Sequence, residues 1–165
     1  YRYYRSYVSR LVRLRTPEEK FKAIKLNFRN SDIVEFTGAT GKSWESSYSE
    51  ALIKSDMLWG GLNKKEELIF VGGFIITPTM LVPWFVGSTK STGKDWIKLG
   101  KELLDTFKSF NKPMKNYVWI ENNKTINWLK KLGFTINKNK EYTMHFNIKF
   151  YEFYMNNKRE EIINV

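Results

Sequence analysis

Residues Asn116–Phe134 read NYVWIENNKTINWLKKLGF, and this stretch decides the fold. Tyr117, Val118, Trp119 and Ile120 form an apolar, β-favouring run that stops at Glu121-Asn122-Asn123. A short amphipathic helix is predicted over Lys124–Leu132. Gly133 follows its last periodic residue, where a left-handed stop favours a residue without a Cβ. A strand that gives way to a helix this abruptly splays from its neighbour, and the gap bares strand backbone along which an extended ligand can lie.

Working outward, Trp96, Leu99, Leu103, Leu104, Phe107 and Phe110 recur at helical spacing, with Lys98, Lys101, Asp105 and Lys108 opposite. They predict an amphipathic helix over Lys94–Phe110, its aromatic stripe being core rather than a cofactor box. The helix joins a fourth strand, Leu81–Val86, to a fifth, Asn116–Ile120, as a parallel crossover. Met57–Leu62 and Leu68–Ile76 flank the polar turn Asn63–Glu67 as a hairpin, with Gly72-Gly73 marking a bulge or close backbone approach. Upstream, a strand is expected over Val8–Leu14. Thr16-Pro17-Glu18-Glu19 then starts a helix running to Asn27. A helical piece from Asn30, interrupted by Gly38 and Gly41, and a helix over Lys42–Ile53 follow. A strongly aromatic strand over Phe146–Met155, alone or with one more, closes the chain. The expected fold is α/β (α+β): a mixed, mostly antiparallel twisted sheet with helices on both faces and a splay between strands 4 and 5. One domain spans 8–155, between a basic aromatic arm at 1–7 and a polar tail at 156–165.

At 165 residues with 16% aromatics, the chain can bury a real core, which excludes a disordered class. No apolar run approaches the ~20 residues that span a bilayer, and the N-terminus has no apolar signal core. With no Cys and one His, thiolate catalysis, disulfides and Cys- or His-rich metal sites are excluded, no metal is expected, and a reducing compartment fits. Net charge is +11, which favours polyanionic partners: nucleic acid, phosphate-bearing cofactors or acidic protein surfaces. Arg2, Arg5, Arg10, Arg13 and Arg15 stand among Tyr1, Tyr3, Tyr4 and Tyr7. They read either as a nucleic-acid-binding arm or, for residues 8–15, as the water-facing side chains of the first strand.

The order of elements resembles the GNAT family of N-acetyltransferases. Asn122, Thr125, Ile126, Leu132, Gly133 and Phe134 match the spacing of that family's late motif. LVPWFVGS, NYVWIENN and NWLKKLGF together look like GNAT-like proteins of tailed bacteriophages, including internal-virion or morphogenesis proteins of short-tailed phages. The resemblance implies acetyl-CoA as cofactor and an amine as acceptor. It places the pantetheine arm along Trp84, Phe85, Val86 and Gly87, and the pyrophosphate at the loop Ser88–Lys94. There Ser88, Lys90, Gly93 and Lys94 would serve a helix N-terminus, and Asn122 completes the implied site. Two departures stand out. Asp95 occupies a loop position where a carboxylate repels a diphosphate. Leu129 sits where many relatives carry a proton-donating Tyr.

No catalytic residue is assigned. Glu35 is the tempting base, but a solvated helix carboxylate is the favoured reading; Glu66 and Glu67 decorate a turn, and His145 reads as surface or satisfied core. Of Tyr117 and Trp119, one is expected to face the cleft. The expectation is a phage-encoded acetyl-CoA-dependent N-acetyltransferase of the host cytoplasm. The alternatives are a degenerate relative packed in the virion with other phage virion proteins, and a basic nucleic-acid-binding module.

Overall fold

The computed structural model describes residues 9–157. The arm expected at 1–7, Val8 of the first expected strand and residues 158–165 of the tail lie outside the described residues. In chain order the elements are β1 (Arg10–Arg13), α1 (Pro17–Ile24), α2 (Asn30–Thr40), α3 (Trp44–Lys54), β2 (Met57–Leu62), β3 (Leu68–Ile76), β4 (Leu81–Gly87), α4 (Gly93–Lys108), β5 (Met114–Trp119), α5 (Asn123–Leu132), β6 (Thr135–Thr143) and β7 (Lys149–Met155). They build one sheet ordered β1-β2-β3-β4-β5-β7-β6. Every pairing is antiparallel except β4 with β5.

The helix ends follow from local chemistry. Thr16 Oγ1 accepts the Glu19 N–H at 3.2 Å, and Ser43 Oγ accepts that of Ser46 at 3.3 Å. Asn122 Oδ1 accepts the Thr125 N–H at 3.4 Å. Each satisfies an amide that the first turn leaves without a partner. Gly41 and Gly133, at φ 72° and 101°, stop α2 and α5 in the left-handed conformation. On one face of the sheet α4 and α5 bury Phe70, Phe74, Leu99, Leu103, Phe107 and Leu129. On the other, α1 to α3 cover Leu26, Phe28, Tyr48, Leu58, Val71 and Val86.

The expected architecture is present, with local corrections. The first helix stops at Ile24 rather than Asn27, because Phe28 leaves it to bridge to Ser88 at the end of β4. Gly38 does not interrupt α2; a Cβ there would stand 3.0 Å from Ile148, so it is the close approach that needs glycine. The closing strand begins at Lys149 rather than Phe146, since residues His145–Asn147 form a 3-10 turn. Phe146 and Asn147 lie in the left-handed region there, at φ 56° and 58°. β6 had no expected boundaries. Its sequence TINKNKEYT is polar and largely exposed, as suits a sheet edge guarded by Lys, so no alternation announces it.

Candidate active site

The gap begins where β4 and β5 pair once and then separate. Their register holds a single pair, Leu81 with Met114, beside a bond from the Leu81 N–H to the Pro113 carbonyl at 2.9 Å. Beyond it β4 stays bound to β3 and β5 to β7, so each presents an edge to the opening. Pro83 has no N–H to offer across. The Asn116 side chain bridges the mouth instead: its Nδ2 donates to the Pro83 carbonyl at 2.6 Å, and its Oδ1 accepts the Tyr117 N–H at 2.8 Å. Because the Leu81 and Gly87 amides point away from β3, ladder alternation turns the Phe85 N–H and C=O into the gap as well.

The opening leads into a cavity of about 370 Å³ whose walls include Phe36, Trp84, Phe85, Tyr117, Leu129 and Phe150. Among the described residues its carboxylates are Asp32 and Glu35, one turn apart on α2. Asp32 is buried and already engaged. Its Oδ1 and Oδ2 take the Arg29 guanidinium at 2.8 and 2.9 Å, and Oδ2 also takes the Gly87 N–H at 2.9 Å. Burial pushes the Asp32 carboxyl up, against the downward pull of Arg29. The Arg29 guanidinium carbon lies over the Trp96 ring, 4.0 Å from its centroid.

Glu35 is not the solvated helix carboxylate favoured from sequence; it lines the cavity. Its Oε1 accepts the Asn122 side-chain N–H at 2.7 Å and the Trp119 backbone N–H at 3.2 Å. Burial, with the charge of Asp32 next, raises the carboxyl to about 7, more than these two donors lower it. Both donors reach Oε1, which leaves Oε2 to take a proton.

The second depression adjoins the cavity at Thr125. It is a groove between the N-terminal ends of α2, α4 and α5, lined by Arg29, Ser88, Gly93, Asn122, Lys124 and Lys131 among others. A Cβ on Gly93 would meet nothing within 4 Å, so the first turn of α4 is open. Asp95 turns back on its own helix: Oδ2 accepts the Thr92 N–H at 3.0 Å and the Thr92 hydroxyl at 2.8 Å. That capping box accounts for a carboxylate in this loop. The Thr125 Oγ1, buried where cavity and groove meet, has no hydrogen-bond partner.

Of the residues expected at the site, Trp84, Phe85 and Val86 line the cavity, and Ser88, Gly93 and Asn122 line the groove. Gly87 has its N–H on Asp32 and its carbonyl on the Arg29 N–H. Lys90 turns the other way, 2.5 Å from Glu67, and Lys94 lines neither space. Tyr117 faces the cavity and Trp119 the groove, so both line the site rather than one. Glu66 pairs with Arg10, Arg13 lies on Trp59, and the His145 ring packs on Gly41. Sequence reasoning missed Arg29 and Asp32. Their spacing with Glu35, three residues apart along one helix face, was the available signal.

No protein-family model and no curated protein sequence matches the chain. Solved structures do match it. The spermidine N-acetyltransferase of Vibrio cholerae, in complex with CoA and spermine, is similar at TM-score 0.66 and 16% identity, over 89% of this chain and 94% of that one. The ribosomal-protein-S18-alanine N-acetyltransferase of Escherichia coli is similar at TM-score 0.65 and 13% identity, over 96% and 99%. A GNAT-family acetyltransferase of Streptococcus pneumoniae gives 0.63 and 11%, over 89% and 98%. The chain has the GNAT fold. At these identities the likeness is one of fold.

Proposed function

We propose that the chain is an N-acetyltransferase that moves an acetyl group from acetyl-CoA to an amine. The observation that carries this reading is the β4–β5 gap, which opens onto an apolar cavity with an accessible carboxylate, Glu35, poised near neutrality. The chemistry of the surroundings suits the cofactor. The Phe85 backbone and the partnerless Thr125 hydroxyl would hold the pantetheine arm, between walls formed by Trp84, Val86 and Asn122. The open first turn of α4 at Gly93, with Ser88, Lys124 and Lys131, would take the phosphates. Lys90, committed to Glu67, has no part in this set.

Acetyl-CoA supplies an electrophilic thioester carbonyl: the amine nitrogen bonds to that carbon, the carbon–sulfur bond breaks, and the departing thiolate takes up a nitrogen proton. Glu35 receives the ammonium proton that must leave before the nitrogen can attack, and passes it to solvent. A base poised near 7 is ionised often enough at neutral pH to accept, and it is basic enough to be useful. Trp119 and Asn122 fix the carboxylate at the end of β5. Asp32 and Arg29 hold Gly87 and Trp96 in place between cavity and groove.

Isothermal titration with acetyl-CoA, followed by thiol release over a panel of amines, tests the reading. Binding together with turnover that Glu35→Gln slows by about 10²-fold or more supports it; no heat at millimolar acetyl-CoA ends it. A second reading keeps the fold without turnover. It is favoured by Leu129, fully buried at the position where the resemblance places a proton-donating Tyr, and by the likeness of LVPWFVGS and NYVWIENN to phage virion proteins. It calls for stoichiometric copies in purified virions and no thiol release with any amine.

A further inference from the structure

The half of the cavity on the α1–α3 side of the sheet has a chemistry of its own. Phe36, Ala39, Trp84, Tyr117, Met144 and Phe150 line it. Trp84 gives its indole N–H to the Ser55 hydroxyl at 2.7 Å, so it is the apolar body of the ring that meets the cavity. Phe36 and Trp84 meet edge to face at 6.3 Å, and Tyr117 is braced by Tyr142 at 5.2 Å. These walls are therefore preformed aromatic surface. Asp32, the carboxylate beside Glu35, is saturated by Arg29 and Gly87. Among the described residues, a cation entering this half thus meets one carboxylate with an unengaged oxygen, Glu35 Oε2, and apolar surface elsewhere. A second ammonium group on the same molecule would be buried without a counter-charge. The positive net charge of the chain, +11, opposes it further.

We propose that the acceptor is a small monoamine whose nitrogen lies at Glu35 and whose apolar ring or chain packs among Phe36, Trp84, Tyr117 and Met144, and that amines carrying a second positive charge are rejected. The reaction at that nitrogen rests on the acetyltransferase reading; the recognition of the amine does not.

Isothermal titration of 2-phenylethylamine, ethylamine and spermidine into the protein, with and without saturating CoA, reads the preference directly. Phenylethylamine should bind about 10²-fold more tightly than ethylamine, and spermidine no more tightly than ethylamine. Ala39→Glu places a carboxylate on the exposed rim and should raise spermidine affinity about tenfold while that of phenylethylamine does not improve. Spermidine binding as well as phenylethylamine overturns the proposal, as does the absence of amine binding with and without CoA. A parallel acetyl-CoA titration separates the two readings. Monoamine binding without acetyl-CoA binding sinks the acetyltransferase assignment and leaves this one standing; acetyl-CoA binding with spermidine preferred does the reverse.

Discussion

Glu35 concentrates the chemistry in one side chain, and its environment fixes two measurable consequences. As a base raised to about 7, it should give kcat/KM a rising limb with an apparent pKa near that value. Glu35→Gln should lose that limb, and kcat should fall by about 10²–10⁴-fold, as is usual when a general base is removed. The same shift bears on stability. Below the ordinary value of 4.5 the carboxyl is neutral in both folded and unfolded chains and has no effect. Between 4.5 and about 7 the unfolded chain ionises while the folded one keeps its proton, so stability drains away as pH rises through that window. The loss totals about 3 kcal/mol, at ~1.4 kcal/mol per unit. Glu35→Gln keeps an acceptor for Trp119 and Asn122 without the charge. Urea denaturation at pH 5 and pH 8 should show the variant close to wild type at the lower pH and more stable at the higher.

At the scale of elements, the sequence announced segments with a strong period or strong punctuation. β2 and β3 have their expected bounds because Asn63–Glu67 is an unmistakable turn between apolar runs. α5 ends at the expected Leu132 because Gly133 stops it, and starts one residue ahead of the expected Lys124 because Asn122 caps it. β6 stayed hidden because an edge strand protects itself with Lys and Asn, which carry no hydrophobic alternation. The site was harder to read. Glu35 is an ordinary helix glutamate until α2 packs over the β4–β5 gap, and its burial depends on Trp119 and Asn122, 84 and 87 residues away along the chain. Asp95 shows the opposite error, since a carboxylate that looks hostile to phosphate in a linear motif is folded back as a cap. Asp95→Ala should therefore cost about 1 kcal/mol of stability in chemical denaturation, and leave acetyl-CoA affinity no weaker in titration. Gly133→Ala, at φ 101°, should cost about 1 kcal/mol as well, from strain rather than contact: the nearest side-chain atom would be 3.5 Å away.

For the whole molecule, the sheet, the two helical layers and the excess of positive charge form one arrangement. The crossover helix α4 carries the chain from β4 to β5 and leaves its open N-terminus beside the gap. Arg29, Lys124 and Lys131 gather at the same groove. Acetyl-CoA affinity should fall several-fold between 50 and 500 mM NaCl as the exposed charges of Lys124 and Lys131 are screened, a trend that titration at several salt concentrations will show.

The central claim is that β4 and β5 part to receive a thioester cofactor, and a crystal structure of the protein grown with acetyl-CoA tests it most directly. Density for the pantetheine arm should run between Trp84 and Tyr117, with the Phe85 backbone and the Thr125 hydroxyl in hydrogen-bond contact and the phosphates at the start of α4. Strands found laddered together past Leu81 and Met114, or acetyl-CoA bound outside the gap, would contradict the account.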